Sequence, residues 1–127
     1  MDMNNCPFCD VPDADSGCDN PLAYARRDGF PISSGHTLII PRRHVRSLFE
    51  CTPGERLALL QLLEDAKEQL DAEFHPDGYN IGINDGAAAG QTVMHLHIHL
   101  IPRYKGDKDD PRGGVRWIFP DKAKYWE

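Results

Sequence analysis

The chain is predicted to fold as one α+β domain built on an antiparallel sheet. Two observations carry this: short apolar strand signals are separated by tight turns, and one strongly periodic helix lies between pairs of them. A length of 127 residues suits a single domain able to bury an ordinary core without staples.

The elements follow in order. Residues 1–20, "MDMNNCPFCDVPDADSGCDN", are polar and turn-rich and read as an irregular arm. "PLAYARR" reads as a strand, "DGFPISSG" as a loop, and "HTLIIP" as a short apolar strand ended by Pro41, which has no N–H for a ladder. Thr52-Pro53-Gly54-Glu55 is a capping box with proline at the first helical position. Behind it Leu59, Leu60, Leu63, Ala66, Leu70 and Phe74 form one apolar stripe, and Lys67, Glu68, Asp71 and Glu73 fall mostly off it. Pro76-Asp77-Gly78 stops the helix. "YNIGIND" then reads as a strand, "GAAAG" as a small-residue loop and "TVMHLHIHLIP" as a longer strand. The tail, residues 105–127, is aromatic and is expected to pack on the body or on a partner.

Composition narrows the functions available. The formal charge of −6 argues against non-specific nucleic-acid binding, which needs a basic field, but leaves room for a small anion held at a focused site. No apolar run approaches the ~18 residues of a membrane span, and the N-terminus lacks a basic, apolar leader pattern. A cytoplasmic protein without membrane partners is expected, a setting that weakens a disulfide reading of Cys6, Cys9, Cys18 and Cys51.

Three histidines alternate in "HLHIH". On a strand, His95, His97 and His99 share one face about 6.5–7 Å apart, while Met94, Leu96, Ile98 and Leu100 can pack on the helix stripe. Such a face suits metal binding or nucleophilic and acid–base work, and the pattern alone does not choose. Cys6-Pro7-Phe8-Cys9 is spaced to give two thiolates to one tetrahedral ion. His44 in "PRRH" and one of the three histidines are the best remaining ligands. A redox dithiol and two ordinary cysteines are the competing readings.

His95-Leu96-His97-Ile98-His99-Leu100-Ile101 resembles the histidine triad signature, H-φ-H-φ-H-φ-φ with φ apolar. "SSGHTLIIPRRH", "NDGAAAGQTV" and "PRGGVRW" extend the likeness from residue 6 to about 120. The resemblance implies a single triad domain over 1–127, with an irregular zinc-binding arm (1–20) and a C-terminal tail (105–127). It implies a sheet of about five strands with one long and one short helix, continued across a homodimer. For activity it implies hydrolysis of a dinucleoside polyphosphate, an adenine nucleotide foremost, through a nucleotidyl group carried on His97. His99, His36 and Gln91 would complete the catalytic set. Asp28 would hold the ribose hydroxyls, and Asn84, Gly90, Gln91 and Thr92 would lie along the nucleotide. Zinc-bearing relatives imply a structural zinc on Cys6, Cys9, His44 and His95, with no catalytic cofactor. An adenosine phosphoramidase, a non-catalytic nucleotide- or zinc-binding module, and a metal-activated water are the alternatives.

Overall fold

The computed structural model describes residues 5–11 and 17–127; the rest of the N-terminal arm lies outside them. Strands β1 (Ala23–Arg27), β2 (Thr37–Pro41), β3 (Gly78–Gly82) and β4 (Ile98–Arg103) form one antiparallel sheet in the order β1-β2-β4-β3. The α+β class holds, with four strands among the described residues rather than about five. Helix α1 (Pro53–Phe74) and the short helix α2 (Pro120–Ala123) complete the framework. Neither is long and apolar enough to cross a membrane.

Helix α1 starts where its capping box predicts. The Thr52 hydroxyl accepts from the Glu55 N–H and the Glu55 carboxylate accepts from the Thr52 N–H, satisfying two donors that the first turn would leave open. It ends at His75, whose left-handed backbone (φ 51°) turns the chain before Pro76. The buried stripe is Leu59, Leu62, Ala66 and Leu70. Leu60 is 62 % exposed, so the expected stripe is rotated: three-residue spacing from Leu59 leads to Leu62. This stripe covers one sheet face, meeting Ala23, Ala25, Ile39, Ile98 and Leu100. Gly35 makes the approach possible, since a Cβ there would meet Phe74 and Leu70 at 3.0–3.1 Å and its φ is +91°.

The largest departure concerns residues 92–102, expected as one strand. β4 begins only at Ile98, and His95 and His97 precede it. The reason lies in distant partners: the Leu96 N–H bonds the Val45 carbonyl at 2.7 Å, and the Pro41 carbonyl is taken by the His95 ring. Residues 95–97 therefore leave the β2 ladder, whose pairing with β4 runs from Thr37–Leu100 to Ile39–Ile98. The alternation survives: Leu96, Ile98 and Leu100 enter the core and the three imidazoles face away from it. On this outer face, Cys6 and Phe8 of the arm cover Tyr24, Leu38 and Ile40. The tail, turned by 3₁₀ structure at Gly114–Ile118, flanks the β3 side.

Candidate active site and candidate metal centre

Each imidazole of the run has one ring nitrogen committed to a fixed partner, and that commitment determines what the other can do. His95 Nε2 lies 2.8 Å from the Pro41 carbonyl oxygen, which only accepts, so the proton sits on Nε2 and Nδ1 offers a lone pair. That lone pair faces Cys6 Sγ at 3.3 Å, Cys9 Sγ at 3.5 Å and His44 Nδ1 at 3.2 Å, and Cys9 Sγ is 3.2 Å from His44 Nδ1. Tetrahedral zinc, with bonds of about 2.0–2.3 Å, sets its ligands roughly 3.3–3.8 Å apart. Donor chemistry and spacing therefore fit, and the Pro41 carbonyl supplies the outer contact that fixes the tautomer of a histidine ligand. Burial and the neighbouring Cys6 push the Cys9 thiol up to about 11, so ion binding here must release protons. The four expected metal residues are thus brought together. Cys18 and Cys51 are elsewhere, as buried core thiols.

His97 Nδ1 lies 2.9 Å from the His95 carbonyl oxygen. By the same logic Nδ1 carries the proton, and Nε2, without a partner among the described residues, keeps its lone pair. Phe8 holds the ring edge-on at 4.9 Å between centroids, and His99 lies at 5.1 Å. The third imidazole belongs to a relay. The Ile32 N–H donates to His36 Nδ1 at 3.2 Å, so the His36 proton is on Nε2. That N–H faces His99 Nδ1 at 3.0 Å and Asp28 Oδ2 at 3.4 Å. His99 Nδ1 must accept, which leaves its proton on Nε2. Burial lowers the proton affinity of both His36 and His99, keeping them neutral and the relay in this tautomeric order.

Two adjoining clefts meet at these groups. One, of ≈460 Å³, is lined by Phe8, Arg26, Gln91, Thr92, His97 and His99 among others. The second, of ≈470 Å³, takes in His36, Asn80, Phe30, Ile32, Val115 and Ile118. Asp28, Asn84 and His99 border both, and Gly90 borders the first. Every expected catalytic and nucleotide-binding position thus lines one or both clefts.

Gln91 is buried with its amide committed: Oε1 accepts from the Gly86 N–H at 2.8 Å, and Nε2 donates to the carbonyls of Arg46 and Val93. It pins the 86–91 turn, and reaching a phosphate requires exchanging one of these bonds. Sequence reasoning did not single out Phe8, Phe30, Ile32, Val115 or Ile118 as site residues. None lies on a periodic stripe, and the signal that remained was their apolar character inside loops and turns.

An α+β scaffold that presents a committed imidazole, a histidine relay and a Cys₂His₂ cluster on one sheet face belongs to a narrow class. Residues 13–106 match the HIT domain, and the chain belongs to the histidine triad family. It is 38 % identical over 112 residues to a HIT-like protein of Mycoplasma pneumoniae, covering 83 % of this chain and 76 % of that one. A bis(5'-nucleosyl)-tetraphosphatase (asymmetrical) of Schizosaccharomyces pombe is 44 % identical over 77 residues, 61 % of this chain and 42 % of that protein. Among solved structures, a zinc-bound histidine triad protein of Mycobacterium smegmatis superposes with TM-score 0.71 at 32 % identity, covering 84 % of this chain and 81 % of its own.

Proposed function

We propose that this chain is a nucleotide hydrolase acting at the α-phosphate of a dinucleoside polyphosphate or related nucleotide, with His97 as the nucleophile. The observation that carries the reading is the His97–His95 carbonyl bond, which sets the ring proton on Nδ1 and leaves the Nε2 lone pair available on a residue that lines a cleft. The kinship to a named tetraphosphatase supports the substrate class.

In the first step Nε2 bonds to the α-phosphorus and the bond from phosphorus to the bridging oxygen breaks, its electrons leaving with the polyphosphate. In the second, a water oxygen attacks phosphorus, the P–N bond breaks, and the water's proton passes to solvent, which returns Nε2 to its neutral state. Splitting one displacement into two is the gain of covalent catalysis. His99 Nε2–H, polarised through His36 and Asp28, donates to a phosphoryl oxygen as its charge grows. Asp28 faces the ribose hydroxyls, with Oδ1 already fixed by the Phe30 N–H at 2.9 Å. Asn84, Gly90 and Thr92 line the phosphate path, and Gln91 holds the turn that carries Gly90.

Cys6, Cys9, His44 and His95 would hold a structural zinc ion, which would lock the arm to the sheet with no open position for water. Phe8, between the two cysteines, is then held against His97. A homodimer is part of the same proposal; β1 and β3 are the outer strands of the sheet, and residues 18–20 already bond the outer side of β1 through the Ala25 N–H and the Ala23 carbonyl.

The test is direct. Incubation of wild type and His97→Ala with diadenosine polyphosphates, quenched and analysed at alkaline pH where a P–N bond survives, should give a nucleotidyl adduct and turnover only with His97 present. Turnover by the variant within a few-fold of wild type sinks the mechanism. Turnover of nucleoside phosphoramidates in preference to polyphosphates would transfer the same mechanism to a phosphoramidase.

A further inference from the structure

The loop between β1 and β2 carries two members of the relay, Asp28 at its start and His36 at its end. Its own side chains hold it weakly. Phe30 and Ile32 are 90 % and 74 % exposed, so neither buries its apolar surface in the core. Beside its second half lies a cleft of ≈460 Å³ bordered by Ser33, Ser34, Tyr104 and Trp117, so packing supports that side thinly. At its end Gly35 rests against Leu70 and Phe74 of α1.

Hydrogen bonds therefore decide where the loop sits. Within it the Phe30 N–H donates to Asp28 Oδ1, the Ile32 N–H to His36 Nδ1, and the His36 N–H to the Ser33 carbonyl. Among the described residues, the hydrogen bond that ties residues 29–35 to anything outside 28–37 runs from the Tyr104 hydroxyl to the Ser34 carbonyl, at 2.7 Å. Tyr104 directly follows β4 and is itself fixed. Its N–H donates to Asp107 Oδ2 at 3.0 Å, and Asp107 takes both Nε and Nη2 of Arg103 at 2.8 Å. Arg103 also donates to Asn80 of β3 at 2.6 Å. The phenol thus projects from a braced corner of the sheet, at the end of the strand that carries His99 near its start.

We infer that Tyr104 is a positioning residue for the histidine relay: by holding the Ser34 carbonyl it seats the loop so that the Ile32 N–H meets His36 Nδ1 and the His36 N–H meets His99. Its part in turnover rests on the proposed function. Tyr104 borders neither of the two clefts that meet at the relay, so it acts through the loop and not on a bound nucleotide. Without its hydroxyl the loop opens more often, the Ile32 N–H turns to solvent, and the 3.0 Å His36–His99 contact is made for a smaller share of the time. His95 and His97, fixed by the carbonyls of Pro41 and His95, are unaffected.

Tyr104→Phe removes the hydroxyl and keeps the ring. Histidine side-chain nitrogen-15 spectra, amide hydrogen exchange and turnover of diadenosine polyphosphates are compared with wild type. Loss of one hydrogen bond should speed Ile32 amide exchange about two- to tenfold. The His36 Nδ1 resonance should shift towards that of an imidazole nitrogen without a donor, while those of His95 and His97 stay in place. In turnover, kcat should fall about two- to tenfold and KM should change less. Tyr104→4-aminophenylalanine, whose N–H also donates, should restore all of these. Unchanged Ile32 exchange with an unchanged His36 resonance in Tyr104→Phe overturns the inference. So does a shifted resonance with kcat at the value of an active wild type. Shifts at His36, His95 and His97 together show a general loosening of the sheet face and also overturn it. If wild type turns over no nucleotide, the hydrolase reading falls by itself, and faster Ile32 exchange in the variant still supports the seating of the loop.

Discussion

Replacing Glu55 with glutamine tests how the segment carrying His44 is attached to helix α1. Glu55 is 5 % exposed, receives both Nε and Nη2 of Arg43 at 2.9 and 2.7 Å, and closes the capping box with the Thr52 N–H. The Arg43 hydrogen bonds hold its carboxyl at about 2, against an ordinary 4.5. At 1.36 kcal/mol per pH unit the difference corresponds to about 3 kcal/mol. Arg43 is 53 % exposed, and the screening this permits reduces the expected loss in Glu55→Gln to about 2 kcal/mol at pH 7. The folded value is depressed, so this stability is complete well above pH 4.5 and is lost as pH falls towards 2. The gap between wild type and variant should accordingly shrink by just under about 1 kcal/mol at pH 4. Urea unfolding of both proteins across pH 7 to 4 measures it, and any ion lost on acidification affects both equally. A gap below about 0.5 kcal/mol at pH 7, or one that does not narrow with acid, would refute the argument.

Other outcomes follow from the same geometry. Leu62→Ala should cost about 2–5 kcal/mol while Leu60→Ala stays within about 0.5 kcal/mol, read by chemical denaturation; comparable losses would restore the stripe expected from sequence. Chelation of zinc-loaded protein should lower Tm and expose Cys6 and Cys9 to a thiol reagent, whereas unchanged Tm would remove zinc from the fold. Phe8→Ala should slow turnover up to about tenfold with metal content unchanged, because an aromatic pair is worth roughly 0.5–1.5 kcal/mol. Full activity in that variant would show that His97 needs no support from the arm.

Much of this was legible in the sequence for reasons that differ by element. The α1 capping box is a local code, and its two hydrogen bonds appear as the residue spacing dictates. Cys6, Cys9 and His44 were legible as a ligand set because ligand chemistry restricts residue type more tightly than packing does, whereas the choice of His95 among the three histidines came from the family resemblance, and the four lie together. The extent of β4 was not legible, because it depends on what pairs with it. Leu96 bonds Val45, a partner 51 positions away, and nothing within "TVMHLHIHLIP" announces that. The tail's share of the second cleft was hidden for a similar reason: Val115 and Ile118 read as ordinary apolar residues until a 3₁₀ turn brings both to it.

The three histidines of "HLHIH" become distinct through carbonyls and neighbours, since their side chains are identical. The Pro41 carbonyl holds the His95 proton on Nε2, so Nδ1 faces the cysteines; the His95 carbonyl holds the His97 proton on Nδ1, so Nε2 faces the cleft. Opposite tautomers thus arise two residues apart, and the Pro41 carbonyl is open to the His95 ring because the Leu96 N–H, which a continued β2 ladder would place against it, bonds Val45 instead. His99, which does lie in β4, takes its tautomer from His36 instead. The early end of the β2–β4 pairing is therefore the structural condition for His95 to bond the Pro41 carbonyl through Nε2 and turn Nδ1 towards Cys6, Cys9 and His44.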